Sequence, residues 1–79
     1  MKLAYSVLLI PGEPEEKGYW VKVPALPGCV TQGETVEECL TNVKEAIEGY
    51  ILSLKARNLP IPEQDASSTA LISMISVEV

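Results

Sequence analysis

Thr35-Val36-Glu37-Glu38 opens the one stretch of the chain that is punctuated at both ends. The Thr35 hydroxyl can accept from the Glu38 N–H, and the Glu38 carboxylate can reach back to the Thr35 N–H, which makes a capping box. Glu34, Glu37 and Glu38 also place negative charge at the positive end of a helix dipole. Val36, Leu40, Val43, Ile47, Tyr50, Ile51 and Leu54 then recur at helical spacing as one buried stripe. Cys39 and Ala46 flank that stripe, while Lys44, Glu45, Glu48, Lys55 and Arg57 lie off it. At the far end Asn58 can take the left-handed cap conformation, and Pro60-Ile61-Pro62 forbids continuation. The pattern predicts one helix of about 22 residues, roughly 33 Å long. The rest of the fold must be arranged around it.

What surrounds the helix reads as strands. In Lys2 to Ile10, Leu3, Tyr5, Val7 and Leu9 fall on one face and Ala4, Ser6, Leu8 and Ile10 on the other. Pro11 ends the run, and a polar loop to Gly18 follows. Tyr19 to Val23 returns as the second arm of an antiparallel hairpin, with Tyr19, Val21 and Val23 opposed to Trp20 and Lys22. Pro24 closes it, since proline lacks the ladder N–H. In Ala25-Leu26-Pro27-Gly28, Pro27 presets φ and Gly28 can take φ > 0, so a type II turn is expected there. Cys29 to Gln32 is a third strand ended by Gly33. After a polar connector, Glu63 to Thr69, residues Ala70 to Val79 form a last strand with apolar residues on both faces. The order is β-β-β-α-β. It predicts an α+β fold, with a mixed sheet and one long helix on one face.

With 79 residues there is room for a single domain, 1–79. The chain carries 6 Lys and Arg against 11 Asp and Glu, a net charge of −5. That opposes direct binding to DNA, whose phosphates demand neutralisation, and opposes anionic membrane surfaces. There is no His, so the commonest general base and metal ligand is missing. Cys29 and Cys39 lack metal-site spacing and read as reduced, inward-facing small apolar residues. No Gly-rich phosphate loop is present. Neither the strands nor the loops bring together carboxylates for two-metal hydrolysis. No catalytic residue, metal or cofactor is assigned. No apolar run is long enough to span a membrane, and the N-terminus reads as a strand rather than a signal peptide, which predicts a cytoplasmic protein.

By elimination the chain is a binding module. If Tyr19, Val21 and Val23 lie under the helix, Trp20 and Lys22 stand on the open face of the sheet, and an exposed Trp is a frequent interface anchor. Trp20, Lys22 and Leu26 are therefore the candidate partner surface. The apolar last strand, through Leu71, Ile72, Ile75, Val77 and Val79, is the candidate for self-association into a dimer or tetramer, because an uncovered edge tends to pair.

The run from Gly18 to Glu38, GYWVKVPALPGCVTQGETVEE, resembles the HicB antitoxin family. That family shows a strand, then F-P-D-L-P-G-C-x-T-x-G-D-T, then a helix of pattern E-A-x-x-N-A-x-E-A. Asn42, Glu45 and Ala46 match the helix, and Ile61-Pro62 matches the usual ending. The resemblance covers about residues 3 to 63. The turn and cap residues that carry it are Pro24, Leu26, Pro27, Gly28, Cys29, Gly33, Thr35 and Glu38. Val23 and Ala25 depart from the usual Phe and Asp. The resemblance implies a partial RNase H-like fold without nuclease activity. It also implies a partner, a small basic HicA-type toxin that cleaves mRNA, which the domain covers and neutralises. A stand-alone homo-oligomeric module that binds another protein or ligand is the other reading, motivated by Ala25.

Overall fold

The computed structural model describes residues 2–15, 17–62 and 73–78. Its elements are β1 (Lys2–Pro11), β2 (Tyr19–Lys22), β3 (Val30–Gly33), α1 (Val36–Ala56) and β4 (Ser73–Glu78). The expected order and the single long helix are both present. The four strands form one sheet in the order β3-β2-β1-β4.

Every pairing in that sheet is antiparallel, which corrects the expected mixed sheet. A parallel β4 would have to start beside Lys2. Instead Ser73 lies opposite Val7, and the strand runs back until Glu78 lies opposite Lys2. Of the last-strand residues named above, Leu71, Ile72 and Val79 lie outside the described residues, as does the Glu63 to Thr69 connector.

The helix runs back along β3. Its contacts march in reverse through the sequence: Cys39 Sγ lies 3.6 Å from the Gly33 carbonyl, Asn42 Nδ2 donates to Gln32 O at 2.9 Å, and the Tyr50 hydroxyl donates to Pro27 O at 2.9 Å. The face laid on the sheet buries Cys39, Val43, Ile47, Ile51 and Leu54. Against it pack Tyr5 and Val7 of β1, Val21 of β2 and Val77 of β4, with Val23, Leu26 and Cys29 from the β2–β3 connection. Alternation therefore put the right residues inward on β1 and β2.

Two residues of the helical stripe differ from expectation. Cys39 is fully buried at the centre of the contact rather than at its flank, and Val36 is 45% exposed. Both follow from how the first turn is rotated: Cys39 points onto Gly33, and Val36 in the same turn points away from the core.

The helix ends are set locally, as predicted. Glu38 N–H donates to Thr35 Oγ1 at 3.0 Å. The reciprocal bond differs, since Glu38 Oε1 accepts from the Glu34 N–H, at 3.4 Å, rather than from Thr35. On this exposed surface the carboxylate reaches one residue further upstream. At the other end Asn58 has φ 54°. Leu59 N–H donates to Leu54 O and Asn58 N–H to Lys55 O, which together form a Schellman motif. Beyond it the Tyr5 hydroxyl donates to Pro62 O at 2.6 Å, tying the chain after the helix to β1.

Candidate interaction surface

The strand register builds a continuous patch on the sheet face opposite the helix. Trp20 stands between Ile10 and Gln32, and Lys22 between Leu8 and Val30. Ile10, Trp20 and Val30 are 45%, 44% and 46% exposed, and Leu8 is half-buried beside them. The patch is therefore apolar with one cation at its centre. The cross-strand neighbours of Lys22 are both aliphatic, so neither offers it a counter-charge.

The carboxylates lie elsewhere. Glu37 and Glu45 are exposed on the helix, Glu34 and Glu38 surround its cap, and Glu13 and Glu15 are exposed on the β1–β2 loop. The open-face positions of β1, β2 and β3 carry none. One domain thus presents an acidic side around the helix and loop, and an apolar side with Lys22 on the sheet.

Between these sides the β2–β3 connection is locked by three backbone hydrogen bonds. Val23 N–H donates to Cys29 O, Leu26 N–H to Val23 O and Cys29 N–H to Leu26 O. The last closes the turn Leu26-Pro27-Gly28-Cys29, and Gly28 has φ 80°, as a type II turn requires. A Cβ at Gly28 would meet nothing within 4 Å, so glycine is needed there for its backbone conformation and not for space. The turn borders a groove of about 310 Å³ that also touches Leu8, Lys22 and Val30, which extends the patch toward Pro27. A second, polar cleft of about 520 Å³ lies at the other end, among Lys17, Trp20, Gln32 and Asn42.

Of the three residues expected on the partner surface, Trp20 and Lys22 lie exposed on the open face of the sheet and Leu26 does not. Leu26 is 0% exposed. The two turns fold its side chain back into the core beside Val23 and Cys29, so it belongs to packing. Ile10, Val30 and Leu8 belong to the patch and were not singled out from the sequence. The available signal was the strand face: Leu8 and Ile10 alternate away from the core-facing residues of β1.

Both thiols are free and buried. Burial pushes the Cys29 thiol up, and burial followed by the Glu38 carboxylate pushes up that of Cys39. Cys39 Sγ lies within weak hydrogen-bond reach of the Tyr19 and Gly33 carbonyls, at 3.7 and 3.6 Å. Neither environment favours the thiolate that nucleophilic chemistry uses. Among the described residues no group of His, Cys, Asp or Glu is placed to hold a metal ion. No described helix is long and apolar enough to cross a membrane.

A family model described as UPF0150-like matches residues 12–62. A UPF0150 protein of Thermoplasma acidophilum is 51% identical over 65 residues, covering 81% of this chain and 90% of the relative. One of Helicobacter pylori is 45% identical over 62 residues, covering 78% and 86%. Among solved structures, the fold overlays a chain of a toxin–antitoxin complex from Streptococcus pneumoniae with a TM-score of 0.82 at 18% identity, covering 99% of this chain and 70% of that one. It overlays the N-terminal domain of the Burkholderia pseudomallei antitoxin HicB with a TM-score of 0.62 at 23% identity, covering 100% and 98%. The HicB-like fold implied by the Leu-Pro-Gly-Cys resemblance is thereby present.

Proposed function

The chain belongs to the UPF0150-like family, and from that premise we propose that it is a HicB-like antitoxin module that binds a small basic HicA-type toxin and blocks its cleavage of mRNA. The observation that carries this reading is the overlay on the HicB N-terminal domain, which spans both chains almost completely. The Leu26-Pro27-Gly28-Cys29 turn and the capped helix, which carry the sequence resemblance, occupy defined structural positions.

The physical division of the surface supports a non-enzymatic mode of action. The carboxylates around the helix and the β1–β2 loop steer a basic partner toward the domain and raise the encounter rate. The exposed Trp20, with Ile10 and Val30, supplies the area that excludes water and anchors the complex. Lys22 then meets a carbonyl or carboxylate of the partner, since another cation at that point would be repelled. Inhibition is steric: a toxin surface covered by this domain is closed to RNA. The domain acts in the cytoplasm, contacts neither membrane nor DNA directly, and uses no cofactor.

The test is to sequence the neighbouring gene and, where it encodes a short basic protein, to coexpress the two. Growth arrest caused by that protein alone, relieved by this chain and not by its Trp20→Ala variant, supports the reading. Binding that weakens as salt is raised supports the electrostatic part. A pull-down from the source lysate that recovers only the bait would instead favour the stand-alone homo-oligomeric module. The observation behind that alternative is Ala25, which is partly buried against the core where the resemblance would place an Asp.

A further inference from the structure

The outer side of β4 is a sheet edge that the described residues leave open to pairing. The strand order places β4 at the end of the sheet, and among the described residues no strand pairs with its outer side. Edge strands are ordinarily guarded by proline, lysine, bulges or short length. Ser73–Glu78 contains no Pro, Lys or Arg and keeps unbroken register against β1. Its helix-side residues are also unevenly covered. Val77 is 1% exposed, whereas Ile75 on the same face is only half-buried.

We infer that this edge takes a second copy of the chain, β4 pairing antiparallel with β4 about a two-fold axis at Ser76. A two-fold axis makes edge pairing antiparallel and closes the assembly at two copies. The strand must then complement itself, and with Ser76 facing its counterpart it does. Ile75 lies opposite Val77 of the second copy, and Val77 opposite Ile75, both pairs on the helix side. On the open face two small serine side chains meet. Centring the pair on Ile75 would instead set Val77 against Ser73 and lose the apolar match. The only charged residue of the strand, Glu78, falls opposite Met74, so two chains of net charge −5 can approach here without like charges facing each other. The result is a continuous eight-stranded sheet whose two helices lie on the same side and whose Trp20 faces stay free. The inference stands independently of the toxin reading.

Sedimentation of the full chain at micromolar concentration should show a dimer. Ser76 is exposed on the open face, so Ser76→Lys should leave the far-ultraviolet spectrum unchanged. It should weaken the dimer by about fivefold or more, because like charges directly opposite repel. Mixing it with Ser76→Glu should restore association. Because the native thiols are buried, Ser76→Cys should give a covalent dimer on mild oxidation. Ala4→Cys should not, since Ala4 lies opposite Ser76 one strand further in. A monomeric wild type overturns the inference. So does a dimer that is indifferent to Ser76→Lys and does not cross-link through Ser76→Cys, which would place the interface elsewhere.

Discussion

A Cβ on Gly33 would lie 2.8 Å from the backbone nitrogen of Cys39. That distance is shorter than real Cβ contacts, and the opposing atom is backbone, which cannot swing away. Gly33 is therefore what lets the first turn of α1 settle onto the end of β3 and bury Cys39. Gly33→Ala should push the helix off the sheet there and cost about 1–3 kcal/mol, the range for overpacking a filled core. Urea denaturation with an unchanged slope would check it. A cost below about 0.5 kcal/mol would mean the contact is looser than described.

At Gly28 the constraint is of a different kind. Space is open around it, but φ is 80°. Gly28→Ala should destabilise by about 1–2 kcal/mol through the left-handed backbone alone, and Gly28→Asn by less. The same denaturation series separates the two, because a steric cause would penalise the larger Asn more.

Trp20 and Leu26 should behave oppositely. Trp20→Ala removes an exposed side chain and should change stability by no more than about 0.5 kcal/mol, while affinity for the proposed toxin partner should fall by about an order of magnitude or more. Leu26→Ala empties a fully buried position and should cost about 2–5 kcal/mol. A thermal melt and a binding titration on each variant would check the pair. A Trp20→Ala variant that melts early but binds normally would move Trp20 into the core.

The buried thiols predict a limb of instability in alkali. Burial raises both, so the folded state holds these protons after the unfolded chain has released its own. The unfolded state then binds fewer protons, and stability falls as pH rises above about 9.0, the ordinary thiol value. Urea midpoints at neutral and alkaline pH should show the decline, and Cys39→Ala should make it shallower. An equally steep decline in that variant would assign the effect to other groups. Reaction of either thiol with an aromatic disulfide should be slow until the protein is unfolded.

Features decided within a few residues were legible in the sequence. Thr35 capping Glu38, Asn58 in the left-handed conformation and the Pro27-Gly28 turn each depend on local backbone chemistry. So did the inward faces of β1 and β2, because alternation is a local pattern. The full burial of Cys39 and the exposure of Val36 were not legible, because each depends on how the helix sits on the sheet. Nor was the burial of Leu26, which depends on two successive turns packed against the core. The direction of β4 was equally hidden. Its residues fit a strand running either way, and only the pairing with β1 decides between them. The open-face placement of Trp20 and Lys22 was legible because it followed from the alternation of β2 alone. The rest of their patch needed the register that brings Ile10 and Val30 alongside.

Lys2 lies opposite Glu78, so the first and last strands of the domain are immediate neighbours. The final pairing of the sheet must therefore close a loop of nearly the whole chain, which makes it the entropically slowest contact to nucleate. The same adjacency brings the start of β1 and the end of β4 together at one corner of the sheet. A short linker from Glu78 to Lys2 would let the chain be reopened at the polar β1–β2 loop without breaking a strand.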